Sequence, residues 1–166
     1  MKRSFYVAET GQTGRGVFAG RDIKPFEFIL PFQGPLLTRD AVYKLPNSSH
    51  VLQIGENLWL GRSGEADDYV NHSCFPNCGV VFLDGVPWLR SIAAVEEKQE
   101  LLFDYSTMSM NEPEPWDMPC HCGAPGCRKI IGNYSSLTEL LQERYLDLGI
   151  IPAFVLNEPV PMRIVA

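Results

Sequence analysis

Apolar and polar positions change over in short runs separated by turn residues, a pattern that predicts many short strands and one late helix. Residues 4–8 read as a first strand. The Gly-rich turn Gly11-Gln12-Thr13-Gly14-Arg15-Gly16 leads into Val17-Phe18-Ala19. Residues 27–32 are apolar and aromatic and read as a strand stopped by Gly34-Pro35. Residues 38–44 predict a short helix capped by Thr38. Residues 51–54 and 58–60 predict a hairpin around Gly55-Glu56-Asn57, and the Asp84-Gly85 pair predicts another between residues 80–83 and 86–94. Residues 100–105 read as a strand, and residues 108–119, with three prolines, as a linker. Ser136-Leu137-Thr138-Glu139 reads as a capping box. Leu137, Leu140, Leu141, Tyr145 and Leu148 repeat at helical spacing, so a helix is predicted over 136–148 with Gly149 as its stop. Residues 150–166 read as a loosely attached tail. Together these elements describe a mainly β fold with several small sheets, short helices and a C-terminal α-helix.

A chain of 166 residues fits one domain with a real core. Its 14 glycines and 13 prolines agree with short elements joined by turns. The net charge of -6 argues against a nucleic-acid partner, which calls for a basic footprint, and suits a basic peptide. No run approaches the ~18–20 apolar residues of a membrane helix. The residues after Met1 do not read as an export signal, so an intracellular location is expected. Five cysteines, three of them within Cys120-His121-Cys122-(four residues)-Cys127, then point to metal binding before disulfides.

Three thiolates leave a structural zinc one ligand short of its closed tetrahedron. His121, His72, Cys74 and Cys78 are the candidates for the fourth place. Upstream, Asn71-His72-Ser73-Cys74-Phe75-Pro76-Asn77-Cys78 packs two amides, an imidazole, a hydroxyl and two thiols into eight residues. Singly, an Asn-His pair reads as a satisfied turn, Phe-x-Tyr as strand core, and Gly-x-Gly as a bend that lacks the third glycine of a dinucleotide fingerprint. Their joint order carries more weight than any one of them.

That order resembles a SET domain followed by its post-SET zinc segment. The residues that carry the likeness are Gly14-Arg15-Gly16-Val17-Phe18-Ala19, Asn71-His72-Ser73-Cys74-Phe75-Pro76-Asn77, Glu100-Leu101-Leu102-Phe103-Asp104-Tyr105 and Cys120-His121-Cys122-Gly123 with Cys127-Arg128. The resemblance covers roughly residues 4–132. It implies a β-clip of small sheets around a pseudoknot, with a SET domain over 4–107, a linker over 108–119, a post-SET segment over 120–132, and a helix and tail over 133–166.

The resemblance also implies an S-adenosylmethionine-dependent protein lysine methyltransferase. Tyr105 would be the active-site tyrosine, with Phe103 beside it in the substrate-lysine channel. Gly14, Arg15, Gly16, Tyr69, Asn71 and His72 would hold the cofactor, with the Asn71 amide and His72 imidazole as hydrogen-bonding groups. Cys74 would join Cys120, Cys122 and Cys127 on a structural zinc, leaving Cys78 a spare buried thiol. Phe103, where the family has Phe or Tyr, implies room for di- or trimethyl-lysine. The expected partner is a protein or peptide with an exposed lysine, such as a histone tail. Asp67-Asp68-Tyr69-Val70 stands where many members carry an arginine and a phenylalanine, and Cys127-Arg128-Lys129 where Cys-Arg-Gly is common. The alternatives are a catalytically silent peptide-binding module and a zinc hydrolase. Four thiolate ligands disfavour the hydrolase because no position is left for water.

Overall fold

The computed structural model describes residues 3–46, 50–110 and 117–157. Strands β1 (Phe5–Glu9) and β2 (Arg15–Ala19) form an antiparallel hairpin. The Thr10 N–H donates to Gly14 O at 2.7 Å to close its turn. Gly11 and Gly14 both sit at φ 79°, a conformation that costs a residue with Cβ. Next come β3 (Phe28–Pro31), β4 (Leu36–Leu37), α1 (Arg39–Tyr43), β5 (Leu52–Gly55) and β6 (Leu58–Leu60). A 3-10 turn over Ala66–Tyr69 leads into β7 (Asn71–His72). Among the described residues the remaining strands are β8 (Cys78–Leu83), β9 (Val86–Ser91), β10 (Leu102–Phe103), β11 (Met118–Pro119) and β12 (Ile130–Ile131), and α2 (Glu139–Asp147) is the last regular element.

Two three-stranded antiparallel sheets, ordered β3-β9-β8 and β4-β6-β5, carry most of the ladder. Asp84 at φ 51° and Gly85 at φ 82° give the β8–β9 hairpin the left-handed pair its two-residue turn needs. β7 and β10 pair in parallel, Asn71 with Leu102 and His72 with Phe103, so that mid-chain and late segments are laced together. The core beneath is apolar, built around Val17, Leu30, Val80, Leu89, Leu101 and Phe103. Among the described residues, no helix is long and apolar enough to cross a membrane.

The structure redraws three of the expected elements. Regular pairing in the 100–105 run is confined to Leu102–Phe103; Glu100 makes an isolated bridge to Phe18, and Tyr105 already opens a 3-10 turn (Tyr105–Met108). The late helix starts at Glu139. Thr138, not Ser136, is its cap, with Oγ1 accepting from the Leu141 N–H, while the Ser136 hydroxyl donates to Asn133 O. Leu140, expected on the buried stripe, is 77 % exposed. Thr38 occupies the N-cap of α1 without a side-chain capping bond.

The two irregular segments are anchored where they are described. Met108 and Met110 are buried in the core, and Met118–Pro119 pairs with Ile130–Ile131; residues 111–116 of the expected linker lie outside the described residues. Of the expected loose tail, Ile150, Phe154 and Val155 are buried, and residues 158–166 lie outside the described residues. Gly79 makes this docking possible, since a Cβ there would meet Ile150 Cγ2 at 2.4 Å. The end of α2 is a Schellman turn: Gly149, at φ 65°, donates to Leu146 O and Ile150 donates to Tyr145 O. Arg90 reinforces it by donating to Leu148 O at 2.6 Å.

Candidate active site

Asn71, His72, Phe103 and Tyr105 line one cavity of about 710 Å³, and Thr13, Cys120, His121 and Cys122 reach the same cavity from the first hairpin and the cysteine segment. The parallel β7–β10 pair is what brings these residues together. Asn77 fixes that pairing from behind: its Nδ2 donates to Glu100 O at 2.8 Å and its Oδ1 accepts from the Leu102 N–H at 2.9 Å. One amide side chain thereby replaces two ladder bonds where the strand is too short to make them.

The Asn71 amide is a junction. Its Nδ2 lies within hydrogen-bond distance of Thr13 Oγ1 (3.1 Å), Arg15 O (3.0 Å) and Glu100 Oε1 (2.8 Å). Gly16 sits against this junction, and a Cβ there would meet Glu100 Oε1 at 2.3 Å. This close approach, more than a turn requirement, explains the glycine. The Arg15 guanidinium lies 4.2 Å from the Tyr69 ring centre, a cation–π contact. The Tyr69 hydroxyl accepts from Arg62 at 3.3 Å. Asp67 and Asp68 tie down the preceding loop: Asp67 accepts from the Gln33 N–H and the Ser63 hydroxyl, and Asp68 from the Ser63 and Gly64 N–H groups.

The Tyr105 hydroxyl donates to Val70 O at 2.8 Å, which fixes the phenol against the residue before Asn71. Burial raises its pKa above the ordinary phenol value, and Glu100 adds to the rise, so Tyr105 stays protonated. Phe103 is 4 % exposed, with its ring 4.8 Å from Tyr105 and 5.9 Å, edge-on, from Phe32.

The His72 imidazole is spoken for. Its Nδ1 accepts the Tyr105 backbone N–H at 3.1 Å, and its Nε2 lies 3.3 Å from Cys74 Sγ. Burial holds its pKa down to about 4, with Arg128 nearby adding to that effect against Asp104, so the ring is neutral. The expectation that this imidazole contacts a cofactor meets a ring with both nitrogens engaged inside the protein; the backbone of β7 remains for a ligand.

The cysteine segment folds back onto Cys74. Cys74 and Cys120 Sγ atoms are 3.7 Å apart, and Cys120 and Cys127 Sγ atoms 3.6 Å. Cys122 Sγ lies within 4.8 Å of the Cys74 and Cys120 sulfurs. A zinc tetrahedron with Zn–S bonds of 2.3 Å has sulfur–sulfur edges of about 3.8 Å. Backbone N–H groups surround the sulfurs as thiolates require: Arg128 to Cys74, Cys74 to Cys122 and Lys129 to Cys127, each at 3.5 Å. The donor set and its spacing therefore fit a structural zinc. His72, Cys74, Cys120 and Cys122 also lie within 4.8 Å of one another, so His72 competes geometrically for the fourth place. Cys78 stands apart at the start of β8, fully buried, its thiol pushed up to about 12 by desolvation.

One functional feature escaped the sequence. Asp104, fully buried, accepts from both terminal nitrogens of Arg128 at 2.8 Å, from the Tyr145 hydroxyl at 3.0 Å and from the Ser106 N–H at 3.1 Å. It joins the strand beside the cavity to the cysteine segment and to α2. Its partners stand 24 and 41 residues away, and no local pattern announces such pairs.

The family model described as SET domain matches residues 14–106. The chain is 30% identical over 141 residues to histone-lysine N-methyltransferase trr of Drosophila melanogaster, covering 77% of this chain and 6% of that protein. It is 28% identical over 141 residues to histone-lysine N-methyltransferase 2D of Homo sapiens, covering 77% of this chain and 2% of that protein. It is also 30% identical over 141 residues to an H3 lysine-36 specific histone-lysine N-methyltransferase of Emericella nidulans, covering 76% and 14%. The chain thus spans a small part of each of these relatives.

Proposed function

We propose that this chain, which belongs to the SET domain family, transfers methyl groups from S-adenosylmethionine to lysine side chains of a protein substrate. The observation that carries the reading is the convergence on one cavity of Tyr105, Phe103, Asn71 and the Cys120–Cys122 turn. Bound there, the cofactor would supply a methyl group on a positively charged sulfur, which the neutral lysine amine takes as the sulfur–carbon bond breaks. The chain's own work is binding, alignment and drying of the site. Alignment of the reacting atoms is worth roughly 7–11 kcal/mol of barrier in well-oriented systems.

The cofactor-facing wall is the Asn71 amide and the backbone of His72, which line the cavity, flanked by Gly14, Arg15 and Gly16, joined to it by the Asn71–Arg15 O bond, and by Tyr69, against whose ring Arg15 lies. Tyr105, held to Val70 O, presents its phenol edge to the reacting centre and acts as an orienting group, since it remains protonated. Phe103 and Phe32 are the apolar neighbours that lower the pKa of an entering lysine by desolvation. The substrate proton leaves to water. Phe103 carries no hydroxyl that would hold water beside the amine, which leaves room for a second or third methyl. Cys74, Cys120, Cys122 and Cys127 hold a structural zinc, and the Cys120–Cys122 turn closes one wall of the cavity. The charge of -6 supports a basic substrate such as a histone tail.

The deciding experiment incubates the protein with radiolabelled S-adenosylmethionine and core histones or lysate proteins. Label on lysine that is lost in Tyr105→Phe supports the reading. No label on any protein, or label untouched by that substitution, overturns it.

A further inference from the structure

His72 sits between the two chemical centres of the site, its side chain 5% exposed. Its Nδ1 lone pair is used by the Tyr105 backbone N–H at 3.1 Å. A neutral imidazole carries one proton, so that acceptance fixes the proton on Nε2. The atom 3.3 Å from Cys74 Sγ is then an N–H group, with no lone pair to offer a metal. The His72 ring also meets the Tyr105 ring edge-on, with centroids 5.3 Å apart. Cys74 Sγ receives a second donor, the Arg128 N–H, at 3.5 Å.

We infer that His72 is a positioning residue that ties the Cys74 thiolate to Tyr105, and that it is not itself a metal ligand. The ring is a strut of fixed tautomer. One end donates to the sulfur and helps hold its negative charge; the other end orients the Tyr105 peptide, and through it the phenol bonded to Val70 O. Outer partners of this kind commonly change metal affinity by about 10–100-fold when removed. This agrees with the ligand set proposed above, in which Cys127, its sulfur 3.6 Å from that of Cys120, takes the fourth place. The inference rests on the methyl-transfer reading for its catalytic half and on geometry alone for its metal half.

Two substitutions separate the ends of the strut. In His72→Asn the carboxamide oxygen takes the place of Nδ1 and can still accept the Tyr105 N–H, but nothing reaches Cys74. In His72→Gln the amide nitrogen takes the place of Nε2 and can still donate to Cys74, but Tyr105 loses its acceptor. Zinc affinity is read by competition with a chromophoric chelator, and turnover by kcat and KM. The expected result is a reversal of order: zinc affinity falls at least tenfold further in His72→Asn, and kcat falls at least tenfold further in His72→Gln with KM for the methyl donor little changed. Parallel losses in both variants, or equal values in both, overturn the strut. Nitrogen-15 NMR of the wild-type, zinc-loaded protein gives a check that needs no variant: the ring proton is expected on Nε2, and a proton on Nδ1 or a metal-shifted Nε2 overturns the inference. Absence of turnover in the wild type would sink the proposed function alone, because the zinc competition and the NMR tautomer still decide the metal half.

Discussion

The Arg128 guanidinium grips the buried Asp104 carboxylate through two parallel hydrogen bonds of 2.8 Å each. The pair bridges the strand beside the cavity and the turn after the last cysteine, and Tyr145 adds α2 to the same carboxylate. Removing the arginine leaves a charge in the core without its main partner. Arg128→Ala is expected to destabilise the zinc-loaded protein by about 3–5 kcal/mol. Denaturant melts measure it; a loss below about 1 kcal/mol would show that the pair is solvated.

Lys129 follows that arginine at φ 67°, in the left-handed region where a Cβ costs roughly 1–2 kcal/mol. Its N–H donates to Cys127 and its carbonyl accepts from Cys120, and glycine keeps both bonds. Lys129→Gly is expected to raise the melting temperature of the zinc-loaded protein. An unchanged or lower value would mean that the lysine side chain contributes more than its backbone strain takes away.

Gly16→Ala pushes a methyl group into the Asn71–Glu100 hydrogen bond. Cofactor affinity, read by calorimetry, is expected to fall by about tenfold, equivalent to about 1.4 kcal/mol. The fold should survive, because all three crowded atoms are the ends of side chains. Wild-type affinity would place the cofactor away from this junction.

The pH profile follows from the substrate's need to be neutral and the tyrosine's need to stay protonated. Lysine titrates near 10.4 and an ordinary phenol near 10; burial moves Tyr105 upward from there. Initial rates should therefore climb from neutral pH into the range of about 9–10 without a fall from Tyr105 ionisation. A wild-type rate that falls again below about pH 10 would contradict this.

On the proposed reading, Phe103 sets the space beside the amine. Phe103→Tyr is expected to hold the product at monomethyl-lysine where the wild type proceeds to di- or trimethyl-lysine, as read by mass spectrometry after long incubation. A wild type that stops at one methyl removes the premise.

Turn chemistry and alternation carried much of the fold in the sequence. Asp84-Gly85 announced its hairpin because a two-residue turn demands left-handed residues. The mid-chain stretch from Asn71 to Cys78 stood out because functional groups of four kinds crowd together there. The misses have physical causes. An apolar run such as 100–105 does not reveal where its ladder partner ends, and here β7 offers two residues. Ser136 and Thr138 are both good caps, and burial of Leu137 below the helix chose between them. The docking of Ile150 depends on the missing Cβ of Gly79, 71 positions earlier, and the site's internal supports, Asp104 with Arg128 and His72 with Tyr105, are equally non-local.

The parallel pairing of β7 with β10 also ties the order of folding to the order of synthesis. Asn71 leaves the ribosome long before Leu102, its ladder partner, and the cysteines that close the site come later still. A nascent chain that has the first hairpin and the Asn71–His72 strand has no site at all. Such long-range closure is slow compared with hairpin formation. The site is thus completed as one of the last acts of folding, and a chain cut short before residue 131 would carry Tyr105 without the Cys120–Cys122 turn that shares its cavity.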